Sequence, residues 1–319
     1  MKRTLILLCS MLVLALAALA TLGLTSSLAT NIPAHAKGNY VLVDGLRIRV
    51  WQQGHGQDLL LIHGLPGSLE DWDPVIEDLA SRYRVTVYDR PGHGYSELRR
   101  SSANLQGNVD IALGLIEALG LQNVIVAGHS YGGMMAASMA SERPASVAAY
   151  VSVSGLVHRE AAQEESKLIY QIINIPLIGT GIARLANPLI GGTMMKEGLA
   201  RAFDPDKAPD NYSSTRAPLW LSVKSALAVS GEQVAMPRDL RYLGQQLKNR
   251  PVVHPLVIVH GRQDLAVPIS NAEHLHREVP HSTLVPTNAV GHMVQFTAPE
   301  AVIQAIASAH KQMALAGGH

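Results

Sequence analysis

A serine with a glycine two residues to either side, Gly128-His129-Ser130-Tyr131-Gly132, falls directly after a predicted strand and before a predicted helix. That context matters chemically. A serine on a sharp strand-to-helix turn sits in a strained backbone conformation, and flanking side chains would collide, so glycine is needed there. The turn lifts the hydroxyl out of the sheet at the positive end of the following helix. A serine is a poor nucleophile until a base takes its proton. His292, in Gly291-His292-Met293 after the last predicted strand, is the candidate base. Asp264, closing His260-Gly261-Arg262-Gln263-Asp264 after the strand before it, is the candidate acid. A carboxylate there can fix the imidazole tautomer and stabilise the imidazolium that forms.

Acyl transfer through such a serine also needs backbone N–H groups aimed at the developing oxyanion. One is expected from Tyr131. The other is expected from Leu65 in the loop His63-Gly64-Leu65-Pro66-Gly67, whose glycines let the backbone approach a substrate. His63 is expected to shape this loop and to border the substrate. His274, His276 and His281 lack the zinc-protease spacing and read as surface residues of a helix, so no metal site is assigned. The glycine-rich stretches match neither the dinucleotide nor the phosphate-loop pattern, and no cofactor is implied.

These residues need elements that hold them at one edge of a sheet. Short apolar runs alternate with helical stretches from Asn39 onward, the pattern of an α/β protein with a mainly parallel sheet and helices on both faces. Tyr40–Trp51 predicts an opening hairpin, its Asp44-Gly45 pair suiting a tight turn. Strands are expected over 58–62, 85–88, 124–127, 147–153, 256–259 and 282–285. Helices are expected over 70–82, 104–119, from just after Gly133 through Glu142, and over 270–278 and 299–312. The alternation breaks between about Leu156 and Pro251, where apolar residues recur at helical spacing. Pro176, Pro188, Pro205, Pro209, Pro218 and Pro237 are expected to cut this stretch into short helices. It reads as a helical cap inserted over residues 156–251, between core segments 37–155 and 252–319. Its apolar residues, Ile172, Ile173, Ile175, Leu177, Ile178, Met194, Met195, Leu199, Phe203, Trp220 and Leu221, suggest a hydrophobic pocket with Met195 and Trp220 as lining.

Residues 1–36 stand apart. Leu5–Leu24 is an almost unbroken apolar run preceded by Lys2 and Arg3, the pattern of an export segment. Small residues at Ala34-His35-Ala36 would suit cleavage of a signal peptide. The run is also long enough to stay as a membrane anchor, which takes roughly 20 residues. Either ending places the rest of the chain outside the cytoplasm, in the periplasm or the medium. That remainder carries 24 bases against 25 acids, so a nucleic-acid partner, which wants a clustered basic surface, is not indicated. The one cysteine, Cys9, lies in the apolar run, leaving no disulfide and no thiol nucleophile beyond it.

Taken together, His63-Gly64 with Pro66-Gly67, Asp89 to Ser96, Gly128 to Gly133, His260 to Asp264 and Gly291-His292 resemble the α/β-hydrolase superfamily over about Tyr40 to Ala309. The branch resembled has a serine nucleophile and a helical cap. Relatives that open epoxides or displace halide use an aspartate where this chain has Ser130, so the resemblance disfavours both reactions. It implies a structural turn at Asp89–Ser96 and a serine hydrolase, while the triad under an apolar cap predicts a small-molecule ester with an apolar acyl chain, processed through an acyl-enzyme. Cleavage of a C–C bond, lactone or amide with the same triad stays open, as do acyl transfer to an alcohol and a binding protein without turnover.

Overall fold

The computed structural model describes residues 2–25, 36–158 and 168–316. Ala34-His35 and Gly317–His319 lie outside them. An apolar helix, α1 (Lys2–Thr25), precedes the sheet. A hairpin follows, β1 (Asn39–Val43) and β2 (Leu46–Gln53), with Val43 opposite Leu46 and positive φ at both Asp44 and Gly45. Then come β3 (Gln57–Ile62), α2 (Asp73–Ala80), β4 (Tyr83–Tyr88), α3 (Leu105–Ala118), β5 (Val124–His129), α4 (Tyr131–Glu142) and β6 (Val147–Val153). The predicted helix over 70–82 opens as a 3₁₀ turn, Leu69–Trp72, because Pro74 supplies no N–H and α2 starts afresh around it.

Among the described residues five α-helices separate β6 from the next strand: α5 (Leu168–Ile173), α6 (Ile178–Ala186), α7 (Gly192–Phe203), α8 (Tyr212–Trp220) and α9 (Val223–Asn249), with a π-helical turn, Asn187–Gly191, between α6 and α7. The chain closes with β7 (Leu256–Gly261), α10 (Ser270–Glu278), β8 (Thr283–Thr287), α11 (Val294–Thr297) and α12 (Pro299–Ala316). The eight strands form one sheet in the order β1-β2-β4-β3-β5-β6-β7-β8. β2 runs antiparallel to its neighbours, and β4, β3, β5, β6, β7 and β8 are parallel to one another. This is an α/β fold with a mostly parallel sheet.

Both faces of the sheet are buried, which is why its central strands read as continuous apolar runs rather than alternating ones. Leu60, Ile62, Val124 and Val126 pack with Val109, Leu115, Met134 and Met135 of α3 and α4. Their neighbours Leu59, Leu61, Ile125 and Ala127 pack on the other face with Trp72 of the 3₁₀ turn, Leu79 of α2, and Val302 and Ile306 of α12. Each fully buried aliphatic side chain contributes about 1.5–3 kcal/mol, so these two layers hold the strand ends in register.

The expectation that every proline cuts the inserted segment is corrected at three positions: Pro188 lies in the π-helical turn Asn187–Gly191, which joins α6 to α7 without a break. Pro218 lies inside α8, and Pro237 lies inside α9, which runs unbroken over 27 residues. Packing outweighs the local penalty in α9. Leu227, Ala228, Met236, Leu240 and Leu243 are buried, and Asp239 accepts the Leu105 N–H at 2.8 Å.

A buried ion pair ties α9 to the sheet. Arg90, just past β4, directs its guanidinium at the Glu232 carboxylate of α9, with Asn108 Oδ1 2.9 Å away, and neither charged side chain is exposed. The same guanidinium donates to the carbonyls of Gly64 at 2.9 Å and His63 at 3.2 Å. It also lies 4.4 Å from the Tyr131 ring centroid. Burial alone would raise the Glu232 carboxyl, but Arg90 and then His93 bring it down to about 2. Removing one partner of such a pair strands the other charge in the interior, at a cost of about 3–5 kcal/mol. Arg90→Met is therefore expected to lower stability by that amount in urea denaturation, with part recovered in Arg90→Met/Glu232→Leu. A single variant within about 1 kcal/mol of the parent would contradict this role.

Candidate active site

β5 delivers the chain to Ser130 and α4 carries it away. Ser130 has φ 54° and ψ −112°, a conformation that costs a non-glycine residue about 1–3 kcal/mol. Three hydrogen bonds hold it there. Its N–H donates to Val153 O at 2.9 Å, and its carbonyl accepts from Met134 N at 3.1 Å and Leu156 N at 3.2 Å. The flanking glycines are required by space. A Cβ on Gly128 would lie 1.9 Å from Gly132 O, and one on Gly132 would lie 2.3 Å from Ile62 O. Ser130 thus projects over the C-terminal ends of the parallel strands.

His292 follows β8 and Asp264 follows β7, and the structure brings the two together. His292 Nδ1 donates to Asp264 Oδ2 at 2.7 Å, leaving Nε2 as the free ring nitrogen. Asp264 Oδ1 accepts the N–H groups of Ala266 at 2.8 Å and Val267 at 2.7 Å. Burial would raise this carboxyl, but attraction to His292 and hydrogen bonds from His260 and His292 hold it well below the usual carboxylate range. His292 and Ser130 border one cavity of about 690 Å³, with Leu65, Tyr131, Met195 and Trp220 also on its wall. Among the described residues no hydrogen bond joins the Ser130 hydroxyl to the imidazole, a spacing common before substrate binds. Among them also, no carbonyl or carboxylate takes the Leu65 N–H, and Tyr131 is the first residue of α4, where N–H groups lack intrahelical partners.

His63 does not reach the cavity, which corrects its placement as a substrate contact. It is fully buried, with Nδ1 donating to Gly64 O at 2.9 Å and Nε2 accepting from Arg90 N at 2.9 Å. Burial, with the nearby Arg90 charge, keeps the ring neutral. It is a brace for the loop that carries Leu65. Of the apolar residues in the inserted segment, Ile173, Met194, Leu199 and Leu221 also line the cavity. Ile175 and Leu177 are exposed, and Phe203 is buried against Tyr212 and Phe296. His274 and His276 are half-buried: His274 stacks on His158 at 3.8 Å, and His276 Nδ1 lies 2.9 Å from Ser282 Oγ.

Three groups around the site escaped the sequence reading. His129 Nε2 donates to the His292 carbonyl at 3.0 Å, and the two rings sit 4.7 Å apart. Burial and then the His292 charge lower His129 to about 3, so it stays neutral and positions its neighbour. His260 Nε2 lies 3.2 Å from Asp264 Oδ2 and 2.8 Å from Val267 O, and its i, i+4 spacing to Asp264 was the available signal. The third, Asp71, offered only the Ser68-x-x-Asp71 spacing of a capping box as a local signal. Its carboxylate borders the cavity, accepts Tyr212 OH at 3.1 Å and Ser68 N at 3.1 Å, and lies 3.8 Å from Arg216 Nε.

Burial raises Asp71 to about 7 against the opposing Arg216 charge. The unfolded value is about 3.9, so between these two pH values the folded state keeps a proton that the unfolded chain has lost. That contribution to stability is present at acid pH and lost as pH rises toward 7. Asp71→Asn cannot titrate and is expected to gain stability relative to the parent steadily from about pH 4 to pH 7. Parallel stability curves in denaturant titrations across that range would contradict the assignment.

The family model described as alpha/beta hydrolase fold matches residues 59–299. The chain is 29% identical over 260 residues to (E)-2-((N-methylformamido)methylene)succinate hydrolase of Acinetobacter baylyi, covering 80% of this chain and 91% of that protein. It is 28% identical over 244 residues to the pimeloyl-[acyl-carrier protein] methyl ester esterase of Aliivibrio salmonicida, covering 76% and 88%. The crystal structure of a bacterial membrane phospholipase A superposes with a TM-score of 0.66 at 21% identity, covering 98% of this chain and 99% of that one. With the sheet order, the turn at Ser130 and this match over most of its length, the chain belongs to the alpha/beta hydrolase fold family and is a hydrolase.

Proposed function

We propose that the chain is a serine hydrolase cleaving carboxylic esters with an apolar acyl or alkyl group through an acyl-enzyme. The observation that carries the reading is the His292–Asp264 hydrogen bond of 2.7 Å bordering the same cavity as the strained Ser130. His292 Nε2 takes the Ser130 proton as Oγ bonds to the ester carbonyl carbon, and the carbonyl π pair moves onto oxygen. The Leu65 and Tyr131 N–H groups receive that oxyanion. Collapse breaks the bond to the alkoxy oxygen, and His292 gives its proton to the departing alcohol. Water then repeats the sequence on the acyl-enzyme and releases the acid.

Residues 156–251 act in this reading as a cap that roofs the site, with Met195 and Trp220 against the acyl chain. The wall favours an apolar ester over a dicarboxylate like the one named for the Acinetobacter relative. Arg201 is the one cation among the described lining residues, and its Nε is already engaged by Leu265 O at 2.6 Å. Residues 1–36 direct export, and Leu5–Leu24 serves as signal or tether.

Nitrophenyl esters of increasing chain length test the reading. Turnover is expected to favour medium or long acyl chains over acetate. Ser130→Ala is expected to lower kcat/KM by about 10⁴–10⁶. Absence of turnover at every chain length, with folded protein, would sink the proposal.

A further inference from the structure

The apolar helix α1 is seated on the inserted segment, and its seat locates that segment relative to any membrane α1 crosses. A Cβ on Gly23 would lie 2.1 Å from Leu177 O, and one on Gly181 would lie 2.3 Å from Leu19 O, so the backbones of α1 and α6 touch. The stretch Leu7–Thr25 has mean hydropathy 2.5, none of its residues is buried, and Leu7–Ala18 is exposed along its whole length. A span starting just after Lys2 and Arg3 uses roughly 20 residues to cross the hydrocarbon. The crossing point at Leu19–Gly23 therefore falls at the far boundary of the bilayer. α6 must lie at that boundary too.

The surface beside that crossing is apolar. Residues 168–195 contain a single charged residue, Arg184, and no acid. Leu168, Ile175, Leu177, Leu185 and Leu189 are all exposed there, Leu189 by 80%. The exposed large apolar residues elsewhere beyond α1, such as Leu42, Val253 and Leu315, are scattered singly among the described residues. An apolar surface of this kind marks a contact with a partner or a lipid phase. Arg184 and Lys196 are exposed at its margin, where long basic side chains reach lipid phosphates. Ile190 and Met194 belong to both surfaces: each is more than 40% exposed and each lines the cavity that holds Ser130.

We infer that the α5–α7 face lies in the bilayer surface beside α1, so that the cavity mouth opens to lipid and takes a lipid acyl ester directly from the membrane. This rests on reading α1 as a retained anchor and Ser130 as the nucleophile. The membrane is favoured over a second copy of the chain because α1, whose position fixes the depth of α6, is itself a lipid-facing helix. A monotopic surface next to a single span adds a second point of attachment and sets the orientation of the cavity.

The full chain, with Cys9→Ser to clear the one native thiol, is labelled with an environment-sensitive nitrobenzoxadiazole dye at Leu189→Cys, Leu185→Cys or Gln122→Cys. Gln122 is exposed at the opposite end of β5 from Ser130. In vesicles of phosphatidylethanolamine and phosphatidylglycerol, nitroxides near the top of the acyl chain should quench the dyes at 185 and 189 strongly and the dye at 122 weakly. Aqueous iodide should show the reverse. Iodide quenching at 185 and 189 equal to that at 122 would overturn the inference. So would protection from both quenchers, which would place a second copy over the face.

A functional arm separates this inference from the proposed activity. Leu185→Asp/Leu189→Asp lies outside the cavity wall and is expected to lower hydrolysis of a vesicle-embedded ester about tenfold. Its turnover of a soluble short ester should stay within about twofold of the parent. Equal loss on both substrates would overturn the membrane route. If the parent hydrolyses neither ester, the activity reading fails, while the quenching still decides where the face lies.

Discussion

The backbone of Ser130 is the constraint on which the rest of the site depends. With φ at 54° and ψ at −112°, the residue is held in a conformation that its own side chain disfavours, by hydrogen bonds from three separate parts of the chain. β6 supplies the Val153 carbonyl, the first turn of α4 supplies the Met134 N–H, and the exit from β6 supplies the Leu156 N–H. Such strain persists only where the surroundings over-determine it. Here the surroundings are the two packed faces of a parallel sheet, and the sheet in turn places Asp264 and His292 at the ends of neighbouring strands.

Around that turn the polar groups are arranged so that burial and close partners set the protonation of a group of imidazoles and carboxylates. His63 and His129 are buried neutral rings that brace the backbone of Gly64 and His292. Arg90 and Glu232 are buried charged groups whose mutual attraction offsets their desolvation and locks α9 against the loop that carries Leu65. At Asp71, burial opposes the charge of Arg216, whose Nε lies 3.8 Å away. A low-dielectric interior makes each of these pairings strong and makes each unpaired group costly.

Much of this was legible in the residues. Gly128 and Gly132 announce the turn because nothing larger fits, and the strands around it read as apolar runs because both faces of the sheet are covered. The order of Ser130, Asp264 and His292 follows from the parallel sheet. What the chain did not disclose depends on distant partners. Arg90 and Glu232 are 142 positions apart, and neither has a local pattern that marks it as buried. α9 continues through Pro237 because its apolar face is packed, a tertiary effect that outweighs the local cost of proline. His63 looked like a pocket residue from its neighbours, but the loop turns its ring inward onto Arg90 N. The surface character of α6 was likewise hidden, since apolar residues at helical spacing read equally well as core.

The central claim is that Ser130 is an activated nucleophile. Intact-mass and peptide mass spectrometry after treatment with a fluorophosphonate tests it most directly. The account predicts one adduct per chain, on the peptide containing Ser130, formed rapidly and absent in Ser130→Ala. An adduct on another residue, or none on folded protein, would contradict it.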